Sequence, residues 1–211
     1  MKLNTQALKL CLVTHRKTEP FERYLDLIFQ AIQGGVTSVQ LREKSVDDDT
    51  LLAMAQTLQQ LLRPLGIPLI INDHLHIARA VNAAGVHLGP HDASPEEARA
   101  LLGPEAWIGL SIETPDALMM ANQNLHLNYV AASAVFATET KQNCATFWGL
   151  EGLRDFCQKS RHPVVAIGGI NTDNAAHVKA CGVAGIAVVG AIHNTHSPAA
   201  AAFALKEILE A

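Results

Sequence analysis

The 211-residue sequence predicts an α/β protein with the architecture of a compact (β/α)8 TIM barrel, and three observations carry that prediction. Eight short apolar runs recur along the chain, and several are apolar at successive positions, as strands covered on both faces are. Segments with helical periodicity lie between these runs. No run has the character of an edge strand, which favours a closed barrel over the alternative, an open doubly wound sheet.

Each predicted strand is short and rich in β-branched residues or leucine. In chain order the strands are Leu8–Thr14, Ser38–Arg42, Pro68–Asp73, Gly85–Gly89, Trp107–Ser111, Tyr129–Ser133, Val164–Gly169 and Ile186–Gly190. Since no low-complexity or Pro/Ser-rich linker divides the chain, residues 1–211 are predicted to form one domain.

The predicted helices carry recognisable start and stop signals. The helix after the first strand has an apolar stripe at helical spacing and stops at Gly34-Gly35. The helix after the fourth strand opens with Ser94 as N-cap and Glu97 as the partner that completes a capping box. The helix after the seventh strand follows capping residues and ends at Gly182.

Composition and charge exclude several classes of function. Hydrophobic residues make up 49% of the chain, too many for a disordered protein, and the net charge of -4 comes from interspersed acids and bases. No basic stripe predicts a nucleic acid or membrane partner, and no segment resembles a signal peptide or a membrane span. The four cysteines are scattered without a C-x-x-C pair, which predicts a reduced, cytoplasmic chain. A homo-oligomer is compatible with this composition.

Polar residues follow the second predicted strand, and the reactive groups of such a barrel gather at the C-terminal ends of its strands. Gln40, Arg42 and Lys44 are spaced by two, which in extended chain places them on one side. Two cations at the barrel mouth predict a phosphorylated or carboxylate ligand. The alternative is a pair of surface cations screened by Glu43 and by the acidic run Asp47–Asp49.

Two neighbouring strands each deliver an aspartate. Asn72-Asp73 ends the third strand, and Asp92 follows the fourth. Asp73 could simply cap the next helix, but Ser94 already caps the helix after Asp92, which leaves Asp92 without that duty. Neighbouring strands lie about 4.8 Å apart, so the two carboxylates would repel unless they are protonated or bridged by a cation. Oxygen ligands without a thiolate favour Mg²⁺, which also takes water and substrate phosphate.

The last two strands end in glycine, at Gly168-Gly169 and at Val189-Gly190. Glycine lets the backbone approach a ligand closely, and barrels often bind phosphate at the loops after strands seven and eight. These positions predict a phosphate-binding site.

The loop after the sixth strand offers two hydroxyls and a cation, at Thr138, Thr140 and Lys141. Two interpretations remain open for this loop: a lid that holds phosphate, or a solvated loop. With the groups above, the barrel mouth is predicted to hold two anion sites, as a group transfer between two phosphorylated substrates would require.

Seven short motifs occur in order between Val39 and Ile192: VQLREK, IIND, GVHLGPHD, GLSIET, TETK, VVAIGGI and GVAGIAVVGAI. Together they resemble the thiamine phosphate synthase family, which also includes a thiazole tautomerase of the same fold. The resemblance implies that hydroxymethylpyrimidine diphosphate loses pyrophosphate with the assistance of Mg²⁺. The resulting pyrimidine-methyl cation is captured by the ring nitrogen of a thiazole phosphate, and the product is thiamin monophosphate.

The same resemblance implies roles for individual residues. The residues that would hold the pyrimidine diphosphate are Gln40, Arg42, Lys44 and Asn72, with Ser111 near the diphosphate. Mg²⁺ would be bound by Asp73 and Asp92, and Lys141 would stabilise the departing pyrophosphate. The thiazole phosphate would be seated by Thr138 and Thr140, together with backbone groups at Gly169, Val189 and Gly190.

The sequence departs from the family pattern at the sixth strand. Ala131 and Ser133 replace glycines, while Ala134 and Ala137 replace prolines, so the thiazole pocket could be narrower and the lid looser. Gly190 replaces a serine, which keeps a backbone donor but loses a hydroxyl. A diverged barrel that binds thiamin precursors without turnover therefore remains an alternative.

Histidines bear on two further alternatives. The tautomerase carries a catalytic histidine near the position of Ala134, and alanine there argues against that activity. A zinc hydrolase could be built on His74-x-His76 or on His87 and His91. Exposed or packed histidines are the favoured interpretation of these pairs.

Overall fold

The computed structural model describes residues 4–16, 18–138 and 147–211, in which eight parallel strands close into a barrel. The strands are β1 Leu10–Val13, β2 Ser38–Leu41, β3 Leu69–Asn72, β4 Gly85–Leu88, β5 Trp107–Ile112, β6 Tyr129–Ser133, β7 Val164–Ile167 and β8 Gly185–Val188. Consecutive strands pair in chain order, and β8 pairs with β1 to close the ring. The predicted (β/α)8 barrel is confirmed, and the open sheet is excluded.

Helices connect the strands and surround them. They are α1 Phe21–Gln33, α2 Asp48–Leu62, α3 Leu75–Ala80, α4 Pro95–Leu102, α5 Pro115–Ala121, α6 Gly149–Lys159, α7 Ala175–Lys179, α8 Gly190–His193 and α9 Pro198–Glu210. The predicted capping box is present at the start of α4, where Ser94 and Glu97 each accept a hydrogen bond from the other's backbone N–H. Within the described residues, no helix is long and apolar enough to span a membrane.

The first strand is shorter than predicted at its beginning. Leu8 belongs to a 3₁₀ turn, Thr5–Leu8, rather than to the strand. Its side chain is buried in the apolar cluster inside the barrel, together with Cys11 and Val13 of β1. The turn therefore closes the N-terminal end of the barrel, and the mouth opens at the opposite end.

Alternation along the strands separates two apolar layers. Leu10 and Leu12 of β1 face outward into the large core between the strands and the helices, while Cys11 and Val13 face inward. Burial on both faces explains why the strands are apolar at successive positions.

The interior of the barrel is unevenly lined. The buried polar side chains along strands β2 to β6 are Ser38, Gln40, Asn72, His87 and Ser133. The inward side chains of β7, β8 and β1 are apolar, for example Val165, Ala187 and Val13. One half of the barrel is therefore equipped for polar contacts, and the other half is not.

Gly109 of β5 is required because the ring of Tyr129 occupies the space beside it. A Cβ atom at Gly109 would lie 2.1 Å from Cζ of Tyr129, and that tyrosine is itself buried. We expect Gly109→Ala to lower the free energy of unfolding by about 1–3 kcal/mol in denaturant titrations, the usual cost of overpacking.

Gly152 of α6 provides the control for this substitution. Its Cβ would make only ordinary contact, 3.5 Å from Trp148, and alanine favours a helix interior over glycine. Gly152→Ala should therefore leave stability unchanged or raise it slightly. Equal unfolding free energies for Gly109→Ala and the wild type would contradict the proposed steric role of Gly109.

Candidate active site

A cavity of about 1020 Å³ opens at the C-terminal ends of the strands, and all eight strands or the loops that follow them contribute to its lining. Each predicted site residue that the structure describes lines this cavity: Gln40, Arg42, Lys44, Asn72, Asp73, Asp92, Ser111, Thr138, Gly169, Val189 and Gly190. Thr140 and Lys141 lie outside the described residues. Positions scattered over the sequence thus converge on one cavity.

Asp73 and Asp92 lie together, and Lys44 reaches them from the neighbouring loop. The Lys44 ammonium donates a hydrogen bond to the Asp73 carboxylate, forming an ion pair. Asp73 has a left-handed backbone (φ 63°), a conformation that is uncommon for residues other than glycine and that Asp and Asn tolerate best. With this backbone, Asp73 lines the cavity and its carboxylate contacts Lys44.

The pKa values of the two carboxyl groups move in opposite directions. Burial raises the pKa of Asp73, and the adjacent Asp92 adds to the rise, which the Lys44 ammonium only partly offsets. Burial also acts to raise the pKa of Asp92, but hydrogen bonds from the Asp73 side chain and the Gly89 N–H hold it below its usual range. Such a split is typical of two carboxyl groups that share a proton or a cation.

Neither aspartate caps a helix. The helix α3 begins after His74 without a side-chain cap, so the capping alternative for Asp73 is wrong. Asp92 accepts a hydrogen bond from the Gly89 N–H at 2.7 Å, which closes the turn after β4. Two carboxylates that face one cavity form a hard oxygen donor set, and this donor set suits Mg²⁺.

Two of the acidic residues near Arg42 and Lys44 contact groups other than these cations. The carboxylate of Glu43 accepts hydrogen bonds from the Arg16 N–H at 3.0 Å and from the Tyr24 hydroxyl at 3.2 Å. Asp47 instead caps α2. Arg42 and Lys44 therefore line the cavity, while Glu43 and Asp47 contact other groups.

His87 lines the cavity, although the sequence predicted only a packed or exposed histidine or, as the alternative, a zinc ligand. Its Nε2 lies 2.9 Å from the Ser111 hydroxyl, and its Nδ1 lies 3.0 Å from the Tyr129 hydroxyl. The rings of His87 and Tyr129 stack with centroids 5.5 Å apart. His87 faces inward on β4, and the alternation of that strand was the signal that could have identified it.

The strand-six segment, which begins at residue 134 directly after β6, packs closely on Gly168 and Gly169, the glycine pair after β7. A Cβ atom on Gly168 would lie 2.5 Å from Cβ of Ala134, and one on Gly169 would lie 2.6 Å from the Ala137 carbonyl oxygen. Both glycines have positive φ values, 104° and 64°. The absence of side chains at the glycine pair therefore leaves space for the strand-six segment. The same two glycines also form part of the cavity wall.

The described part of the strand-six segment is anchored without the family's prolines. Val135 N–H donates to Ile167 O at 2.8 Å, and Phe136 N–H donates to Gly168 O at 3.1 Å. The Ala134 carbonyl also accepts a hydrogen bond from the Trp148 N–H at 3.0 Å. Backbone hydrogen bonds therefore hold the described part of the segment on both sides.

The side chain of Asn194 fills the room beside Gly190 at the last strand. Its Nδ2 would lie 3.0 Å from a Cβ atom at Gly190, and Asn194 itself lines the cavity. An amide thus lies beside the position where the family has a serine hydroxyl. Nothing in the motif of the eighth strand pointed to Asn194, which follows α8.

Comparison with known proteins identifies the family of this chain. Residues 10–192 match the family described as thiamine monophosphate synthase. The thiamine-phosphate synthase of Chlamydia caviae is 45% identical over 202 residues, covering 96% of this chain and 95% of the relative. That of Albidiferax ferrireducens is 44% identical over 206 residues, covering 98% and 94% respectively.

Solved structures extend the comparison to the fold. Thiamine phosphate pyrophosphorylase from Pyrococcus furiosus is 35% identical, with a TM-score of 0.88 over 98% of this chain and 97% of its own. A 3-hexulose-6-phosphate synthase, at 17% identity and a TM-score of 0.73, shares the barrel alone. By its sequence and its structure, this chain belongs to the thiamine monophosphate synthase family.

Proposed function

We propose that this chain is a thiamine-phosphate synthase, a transferase that joins hydroxymethylpyrimidine diphosphate to thiazole phosphate and releases pyrophosphate. One observation carries the proposal. The same cavity is lined on one side by two carboxylates and two cations and on another by the glycine-rich ends of β7 and β8: Asp73, Asp92, Arg42, Lys44, Gly169 and Gly190. The names of the relatives, at up to 45% identity over nearly the whole chain, support the same reaction.

The diphosphate end of the cavity would be the Asp73 and Asp92 side. These two carboxylates would hold Mg²⁺, which when bound neutralises negative charge on the leaving pyrophosphate. Lys44 contacts Asp73 in the structure. With the metal bound to Asp73, the Lys44 ammonium would be released and, with Arg42, would bind diphosphate oxygens.

The pyrimidine would lie deeper in the barrel, against its polar half. Gln40 and Asn72 are buried, and both offer amide groups that can donate and accept hydrogen bonds to ring nitrogens and an amino group. Ser111 would lie near the diphosphate, oriented by its contact with His87.

The thiazole phosphate would occupy the opposite side. Backbone N–H groups at Gly169, Val189 and Gly190 would bind its phosphate, because close backbone approach suits an anion there. Thr138 lines the same cavity and would add a hydroxyl, while Thr140 and Lys141 lie outside the described residues and keep their proposed roles.

The chemistry then needs positioning and charge rather than a strong base. The carbon–oxygen bond to the diphosphate breaks, and its electron pair leaves with pyrophosphate. The lone pair of the thiazole nitrogen forms the new carbon–nitrogen bond, so no proton has to be removed. Arg42 and Lys44 would stabilise the leaving group most strongly in the transition state, where its charge is greatest.

The two alternatives within this fold predict different results. A tautomerase would need a histidine beside the thiazole at the strand-six segment, where Ala134 lies buried. A precursor-binding barrel without turnover would bind thiazole phosphate but release no pyrophosphate. The cytoplasmic location and a homo-oligomeric state remain predictions beside the synthase proposal.

The test is one reaction mixture of purified protein, hydroxymethylpyrimidine diphosphate, thiazole phosphate and Mg²⁺, assayed for thiamin phosphate and pyrophosphate. We expect both products in equal amounts, and their loss when EDTA is added. Binding of thiazole phosphate without either product would identify the non-catalytic barrel instead. Product formation that persists in EDTA would exclude the metal part of the proposal while keeping the synthase.

A further inference from the structure

Three metal-ligating side chains meet at the rim of the barrel, outside the cavity described above. Asp48 begins α2, while His74 and His76 flank the start of α3. His74 Nδ1 lies 3.4 Å from Oδ1 of Asp48, and His76 Nε2 lies 3.1 Å from Oδ2 of the same residue. One ligand atom from each of the three residues lies within 4.8 Å of the other two.

The spacing of these atoms is close to that of a metal site. Zinc–nitrogen and zinc–oxygen bonds of about 2.0–2.2 Å in a tetrahedron place neighbouring ligand atoms about 3.4 Å apart. Each histidine already lies near this distance from one of the two Asp48 oxygens, at 3.4 Å from Oδ1 and 3.1 Å from Oδ2. The three ligand atoms lie within 4.8 Å of one another, and rotation of the exposed His76 and Asp48 side chains can bring them to the tetrahedral spacing. Three protein ligands leave the fourth tetrahedral position to water.

We propose that Asp48, His74 and His76 form a binding site for one divalent transition-metal ion of the zinc type. Two imidazoles with one carboxylate make a borderline donor set, which prefers Zn²⁺, Ni²⁺ or Cu²⁺ over Mg²⁺. The proposal does not depend on the synthase reaction, since none of the three residues lines the large cavity.

The site differs in chemistry from the nearby carboxylate pair. Asp73 and Asp92 offer oxygen atoms alone, whereas the rim site offers two nitrogens. The two positions are nevertheless linked through the chain, because His74 directly follows Asp73. An ion at the rim would tie the start of α2 to the start of α3 and would fix the loop that carries Asp73.

Within the described residues, the trio is the one cluster of at least three His, Cys, Asp or Glu side chains with this spacing. The other histidine pair suggested by the sequence does not form such a cluster, since His87 contacts Ser111 and Tyr129. From the zinc hydrolase alternative we therefore keep only a metal-binding site at His74 and His76. We propose no hydrolase activity there.

Calorimetric titration of chelator-treated protein with Zn²⁺ tests the proposal, with Mg²⁺ in excess to occupy the carboxylate pair. We expect one Zn²⁺ per chain, and a loss of affinity of more than about tenfold in His76→Ala and in Asp48→Asn, since each removes a direct ligand. His177→Ala is the matched control, because His177 is an exposed histidine on α7. That variant should bind like the wild type.

Co²⁺ supplies a second readout that does not depend on heat or activity. A tetrahedral Co²⁺ site absorbs in the visible range, and the band should appear in the wild type and in Asp92→Asn but be lost in His76→Ala. Unchanged Zn²⁺ affinity in both His76→Ala and Asp48→Asn would overturn the proposal. Loss of binding in Asp92→Asn, with retention in His76→Ala, would also overturn it and place the ion at the carboxylate pair.

Discussion

Replacing Asp73 by asparagine is expected to lower kcat by about 10²–10³-fold, the usual cost of losing one group that stabilises transition-state charge. Asparagine tolerates the left-handed backbone of Asp73 (φ 63°) almost as well as aspartate does, so the loop should keep its course. The substitution removes the charge that binds Lys44 and that we propose to bind Mg²⁺. Pyrophosphate release measured over a range of Mg²⁺ concentrations should show both the lower kcat and a higher Mg²⁺ requirement.

Asp47→Asn is the control for this experiment. Asp47 is an exposed carboxylate that accepts a hydrogen bond from the Thr50 N–H at 2.8 Å, and asparagine is an equally good helix cap. The control removes one negative charge at the start of α2, outside the cavity lining, so its kcat should equal that of the wild type. Equal activities for Asp73→Asn and Asp47→Asn would remove Asp73 from the reaction.

Gly169→Ala is expected to damage the thiazole side of the cavity and the fold around it. An L-residue at φ 64° costs about 1–2 kcal/mol, and overlap of the new methyl group with Ala137 O and Phe136 Cβ costs about 1–3 kcal/mol more. The strand-six segment must then move away from β7. Steady-state assays should show a KM for thiazole phosphate raised by about tenfold, which corresponds to about 1.4 kcal/mol of lost binding.

Gly66→Ala separates the steric effect from the backbone effect. Gly66 has a nearly identical φ of 68°, but nothing lies within 4 Å of its Cβ position. This control should lose only the backbone contribution to the free energy of unfolding and should keep the wild-type KM. A wild-type KM for thiazole phosphate in Gly169→Ala would show that close packing at this glycine does not contribute to phosphate binding.

The strands could be predicted because their physical signal is local. Burial on both faces requires apolar residues at successive positions, as in Val164–Ile167, and such runs are visible without any knowledge of the neighbours. Convergence of Asp73 and Asp92 could also be predicted, since strand ends of a closed barrel share one rim. The beginning of β1 was misjudged because Leu8 is as apolar as a strand residue, although it plugs the barrel from a 3₁₀ turn.

Tertiary partners could not be predicted in the same way. Nothing in the sequence around Glu43 shows that its carboxylate contacts Arg16 and Tyr24 rather than the adjacent cations. The pairing of Lys44 with Asp73 likewise joins residues 29 positions apart, and Asp73 makes it from a left-handed backbone (φ 63°) that no local pattern indicates. These contacts are decided by the packing of loops, which carries no period in the sequence.

The uneven lining of the barrel bears on the fate of a reactive intermediate. A pyrimidine-methyl cation, as proposed, is consumed either by the thiazole nitrogen or by water, and the second route wastes the diphosphate substrate. The side chains of Val13, Ile167 and Val189 form an apolar wall, and these side chains offer no hydrogen bonds to hold a water molecule in place. Water molecules bound by the polar half of the barrel would therefore stay on the leaving-group side. Hydrolysis of the cation would then compete poorly with its transfer to thiazole.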